Sequence, residues 1–159
     1  MTLLRAPVMR LTTTSLRPGG ETPIFSTTSN WRAIYAVELG PIIKAGDLLD
    51  ISFTLHVTND AFRPNANPVT WGAQVRLSPT IGDTSDGNQM IPTMQPHNIG
   101  DAAHHGLLVA RYLYQVPETL YGTYYAKLLA WFRHPSANGS QQMACPDNGF
   151  GMQVIWHRS

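Results

Sequence analysis

The chain has 159 residues, 43% hydrophobic and only 13% charged, with a formal net charge of +1. That length suits one domain able to bury its own core, and the even charge balance argues against a nucleic-acid-binding surface. A single cysteine, Cys145, excludes an intrachain disulfide and with it a secreted, disulfide-stapled scaffold.

The charged fraction is about half the usual ~25%, so hydroxyls, amides and rings must make up much of the surface. Such a surface suits a protein largely covered by partners. The basic residues are 9 Arg and only 2 Lys, and arginine is enriched in interfaces where lysine is depleted.

Residues 1–30 have no sustained period and are rich in Thr, Ser and Pro. Arg5 and Arg10 interrupt the apolar residues there, so the segment reads neither as a signal peptide nor as a membrane span. Arg5, Arg10 and Arg17 all precede the first acid, Glu21. One reading is a frayed tail. The other is an extended N-terminal arm that orders on a neighbouring subunit, with the three arginines as anchors. Leu3, Leu4, Val8, Met9 and Leu11 make it apolar for a solvated tail and favour the arm.

From Trp31 the punctuation is regular. Ala33, Tyr35, Val37 and Leu39 alternate until Gly40-Pro41, and Lys44 to Asp47 reads as a turn. Leu49, Ile51, Phe53, Leu55 and Val57 then alternate with Asp50, Ser52, Thr54, His56 and Thr58, a period that no helix reproduces. Phe53 and Leu55 are expected in the core, with Thr54 facing away. After a loop, Trp71, Ala73, Val75 and Leu77 form a further strand. Residues 79–103 read as loop, with at most a short strand around Met90 and Ile91. Leu107 to Val116 is nearly continuous in apolar residues, the signature of a strand covered on both faces.

Residues 118–133 admit two readings. Leu120, Tyr124, Leu128 and Phe132 recur every four residues, as on an amphipathic helix. Gly122, the Tyr pair, the Trp-Phe pair and the β neighbours favour a strand over Thr123 to His134. Met152, Val154 and Trp156 line one side of a closing strand. Seven or eight strands without helical alternation predict an all-β chain: a single antiparallel β-sandwich of jelly-roll type over residues 31–159, preceded by the arm.

No catalytic constellation emerges. His104 and His105 are adjacent, so on a strand they point to opposite faces, and the next acid is Glu118. Gly82 to Asn88 resembles a calcium loop, but its acids are three apart and no closing Glu follows, so it reads as a polar turn. Cys145 has no base placed near it, and Asp47, Asp50 and Asp60 sit at strand ends where turns want Asp. The Asn138 sequon reads as a turn. The chain is therefore read as a non-enzyme, with no metal and no cofactor.

The informative feature is a surface. With Tyr124, Ala126, Leu128, Ala130 and Phe132 in the core, Tyr125, Leu129 and Trp131 would form an outward aromatic stripe, which Ile155 could extend. A partner subunit, the chain's own arm or loop, or a sugar stacked on a ring could cover it.

The arm, the strand KAGDLLDISFTLHV and the late pair LLVARYLYQVPETLYGTYYAKLLAWFRH together resemble the small jelly-roll virion proteins of tailed phages, the capsid cement or decoration proteins. The likeness covers most of the chain from about Trp31. It implies a non-enzymatic virion protein that clamps neighbouring shell subunits, binds a major capsid or other virion protein, and forms a dimer or trimer. It implies no role for nucleic acid or membrane. Similar patterns occur in fibre and receptor-binding domains. A carbohydrate-binding sandwich using Trp71 or Trp131 is the rival reading.

Overall fold

The computed structural model describes residues 8–12, 14–15, 21–25, 31–58, 70–82, 86–94, 105–133, 142–146 and 151–159, and its regular elements are all strands. In chain order these are β1 (Val8–Thr12), β2 (Thr14–Ser15), β3 (Glu21–Phe25), β4 (Arg32–Leu39), β5 (Ile42–Ile43), β6 (Leu48–Thr58) and β7 (Thr70–Ser78). They continue with β8 (Asn88–Met94), β9 (His105–Gln115), β10 (Leu120–Tyr121), β11 (Tyr124–Arg133), β12 (Gln142–Pro146) and β13 (Met152–His157).

One rule orders the pairing. β7 pairs with β8, β6 with β9, β5 with β10, β4 with β11, β3 with β12 and β1 with β13, all antiparallel. Each pair encloses the one before it, so the chain is a single long hairpin with its tip between Ser78 and Asn88. Rolling that hairpin lays β11 beside β7, and β13 and β12 beside β6. Two sheets result. One runs β1-β13-β6-β12-β3 with β9 along the other side of β6, and the second runs β2-β4-β11-β7-β8. This is an antiparallel β-sandwich of jelly-roll type, as the strand pattern predicts.

The alternation in β6 does what it should. Leu49, Ile51, Phe53 and Leu55 are buried, while Asp50, Ser52, Thr54 and His56 lie on the other face and are only partly covered. Against them pack Val154 and Trp156 of β13, Val75 and Leu77 of β7, Ala126 and Leu128 of β11, and Val37 and Leu39 of β4. The register between β11 and β4 shifts, Leu128 facing Tyr35 and Leu129 facing Ala33. Ile34 is thus the extra residue of a β-bulge, and it turns into the core beside Tyr35. Residues 124–133 form a strand, and the helical alternative does not occur.

The turn before β6 is closed by local chemistry. The Asp47 amide donates to the Lys44 carbonyl (3.1 Å), and Gly46 takes a positive φ of 89° that other residues resist. The Asp47 carboxylate is buried and accepts four hydrogen bonds: from the Lys44 amide (3.0 Å), Trp156 Nε1 (2.9 Å), and the Ser159 amide (2.8 Å) and hydroxyl (3.1 Å). Burial alone would raise its pKa, but these donors hold it below the ordinary carboxylate value. The residue read as a turn former also fastens β13 to β6.

Two expectations about strand environment are overturned. β9 is not covered on both faces, and the far face of β11 is not open. As for the arm, its described strands run extended but pair within this chain: β1 with β13, β2 with β4 and β3 with β12.

Candidate interaction surface

Among the described residues β9 pairs only with β6 and forms an edge of its sheet. Side chains alternate across a strand, and the alternate set Leu107, Val109, Arg111 and Leu113 faces outward. Leu107 is 57% exposed, Val109 67% and Leu113 57%, and Tyr112, on the opposite side, is 43% exposed. Leu108, Ala110 and Tyr114 pack against the core instead. The sequence pattern misleads at this edge because a continuous apolar run looks the same whether water or protein lies outside it. Arg111, the one charged residue in the run 107–116, is the signal that one face meets solvent.

The arginine is not left bare. Its Nε and Nη2 donate to the two carboxylate oxygens of Asp50 at 2.9 and 2.6 Å, a bidentate pair across the β9–β6 register. Hydrogen bonding from Arg111 holds the Asp50 carboxyl below its ordinary value, against the opposing effect of burial. A shallow groove beside the pair is lined by Ser52, Thr54, Val109, Arg111, Gly151 and Gln153, among others.

Other described edges are blunted in ways natural sheets use. β2 has two residues and β1 five, while β3 carries Pro23 and β8 carries Pro92 with an irregular register. β9 runs for eleven residues with neither Pro nor Lys. A long apolar edge of this kind is a template for another chain.

The stripe expected on β11 is closed. Leu129 is fully buried, and Tyr125 and Trp131 are only partly exposed. Trp131 meets Trp31 edge to face, with ring centroids 6.2 Å apart and planes at 81°. Between them Lys127 is fully buried, its ammonium donating to Asp86 Oδ1 (2.8 Å), the Gly82 carbonyl (3.1 Å) and Thr80 Oγ1 (3.4 Å). Asp86 also accepts from the Ser78 and Thr80 hydroxyls, each at 2.9 Å. The loop after β7 is thereby laid over the outer face of its own sheet. Gly87 lets it turn back, with a φ of 78° and no room for a Cβ beside the Leu77 carbonyl. No local pattern announces this, because Asp86 and Lys127 lie 41 positions apart.

The remaining candidates fall as follows. Arg10 sits in β1 opposite Ile155, while Arg5 and Arg17 lie outside the described residues. His105 is paired with Thr58 in the sheet, and His104, like Asp60, lies outside the described residues. Among the described residues no three His, Cys, Asp or Glu side chains gather where a metal could be held, and no helix is long and apolar enough to cross a membrane. A smaller exposed pair, Tyr121 (75%) and Ile42 (47%), lies across the β10–β5 ladder, with Leu120 and Ile43 buried on its other side.

No family model matches the chain, and no curated protein does. Solved structures do. The infectious bursal disease virus Gt strain aligns with a TM-score of 0.57 and 11% identity over 98% of this chain and 32% of that one. The Gx strain gives 0.56 and 12% over 97% and 32%. The VP2 subviral particle of the same virus gives 0.54 and 9% over 98% and 33%. The chain spans about a third of the length of these proteins. At such identities the likeness is one of fold: this chain is similar in its whole described architecture to part of a viral particle protein.

Proposed function

We propose that the chain is a non-enzymatic structural protein of a virion, which holds neighbouring subunits of an assembly together through exposed sheet surface. The observation that carries this reading is β9. An eleven-residue edge with Leu107, Val109 and Leu113 more than half exposed is a hazard for a free monomer and an asset in an assembly. Low charge, arginine in place of lysine, and similarity in fold to part of the infectious bursal disease virus particle agree with it. Within this reading the chain acts as a cement or decoration protein on a shell, with a major capsid or other virion protein as partner. Arg5, Arg10 and Arg17 add polar anchors to that contact.

Sedimentation of the chain from cells that make it naturally tests the proposal. It should migrate with particles far larger than itself, and cross-linking should join it to a shell subunit. A chain found only as a free small species would contradict it. The carbohydrate reading draws less support, since the Trp131 ring is engaged edge to face by Trp31 rather than presented as an open platform.

A further inference from the structure

We infer that β9 is a homodimer contact, in which two copies of the chain pair edge to edge, antiparallel, about a two-fold axis through Ala110. This deepens the assembly part of the proposed function but does not depend on the virion part.

The occupant is argued from the strand's own sequence. An isologous contact requires that residue i meet j while j meets i. Centred on Ala110, the run Leu107-Leu108-Val109-Ala110-Arg111-Tyr112-Leu113 meets that condition. On the outer face Leu107 stands opposite Leu113 of the second copy, and Val109 opposite its Arg111. On the inner face Leu108 stands opposite Tyr112, and Ala110 opposite itself. Leu107 and Leu108 meet Leu113 and Tyr112, the Arg111 stem lies along Val109, and no like charges are directly opposed. The two arginines carry their own counter-charges, because each is held by Asp50 of its own chain. The contact therefore covers no unpaired charge.

The exposed parts of Leu107, Val109, Arg111, Tyr112 and Leu113 set an upper limit of roughly 1,200 Å² across the two-fold, the size at which specific interfaces begin, so the dimer is of the weak, concentration-dependent kind. Main-chain hydrogen bonds along the edge add affinity, as in other strand-addition complexes.

The register makes a sign-specific test possible at Val109, whose exposure keeps substitutions there from disturbing the fold. V109K places a lysine opposite Arg111 of the other copy, twice by symmetry. V109E places a carboxylate there instead. Sedimentation equilibrium of the full chain should show a dimer, with the dissociation constant raised about tenfold or more by V109K and unchanged or lowered by V109E. A second, independent measurement uses A110C in a C145S background. Directly opposed Cα atoms in antiparallel strands lie about 4.5–5.5 Å apart, within disulfide range, so mild oxidation should yield a covalent dimer. Q115C in the same background should not, since in this register it lies ten residues from its own copy. A strictly monomeric wild type, equal effects of V109K and V109E, or cross-linking of Q115C but not A110C would overturn the inference. Loss of the dimer with retained particle binding in V109K would separate it from the virion reading, and a dimer that never joins a particle would retain it while that reading fails.

Discussion

β9 and β11 are strands of nearly equal length and similar apolar content, yet they occupy opposite environments. β11 lies inside its sheet between β4 and β7, with its inner face in the core and its outer face roofed by the β7–β8 loop. Among the described residues β9 has a strand neighbour on one side only, and it shows Leu107, Val109 and Leu113 to solvent. The sequence pattern suggests the reverse: a doubly covered strand at 107–116 and an open stripe at Tyr125, Leu129 and Trp131. The difference teaches that alternation reports which residues share a face, whereas the covering of that face is decided by topology. Where Lys127 is buried and Leu113 exposed, hydrophobicity alone misleads.

Mutation gives the largest separation. Leu129→Ala should cost about 2–5 kcal/mol, the range for truncating a fully buried leucine, while Leu113→Ala should stay within about 0.5 kcal/mol. Urea unfolding of the two variants under dissociating conditions measures both. Equal costs would break the contrast.

Next in size is the roof over β11. Asp86→Ala takes from the buried Lys127 ammonium the carboxylate that accepts from it at 2.8 Å, and should lower stability by about 3 kcal/mol. Lys127→Met removes the charge along with its need for a partner and should cost clearly less. If Lys127→Met proved the more harmful, the ion pair would be a net stabiliser and the desolvation argument would fail.

Much of the fold was legible in the sequence and the interaction surface was not, for one physical reason. β6 and β13 announce themselves through Leu49, Ile51, Phe53, Leu55, Met152, Val154 and Trp156, because the pleat makes every second residue share an environment. Which strands end up at an edge depends on how the long hairpin rolls, a matter of pairings between residues as distant as Val8 and His157. The arm shows the same limit. Its lack of period reads as an appendage, yet Val8–Thr12 joins β13. Deleting residues 1–15 is therefore expected to lower the thermal midpoint by several degrees, since it strips the ladder from β13. A midpoint left in place would show these residues to be a true appendage.

The smallest effect is electrostatic. Asp47 and Asp50 are both held below the ordinary carboxylate value, Asp47 by its hydrogen bonds in spite of burial and Asp50 chiefly by Arg111. A carboxyl with a depressed folded-state pKa binds its proton less readily when folded than when unfolded. Its stabilisation is therefore complete above the unfolded value of about 4 and is lost as pH falls through the folded value. Unfolding followed between about pH 6 and pH 2.5 should show stability falling over the lower half of that range. Asp47→Asn should flatten that fall. A profile for Asp47→Asn as steep as that of the wild type would assign the acid sensitivity to other groups.

The contrast between the two strands is tested most directly by amide hydrogen exchange at low and high protein concentration, read for 105–115 and 124–133 separately. The account predicts slow exchange in β11 at every concentration, and exchange in β9 that is fast along its open edge when dilute and slows as copies associate. Equal protection of both strands in the dilute protein, or a β9 indifferent to concentration and to added particles, would contradict it.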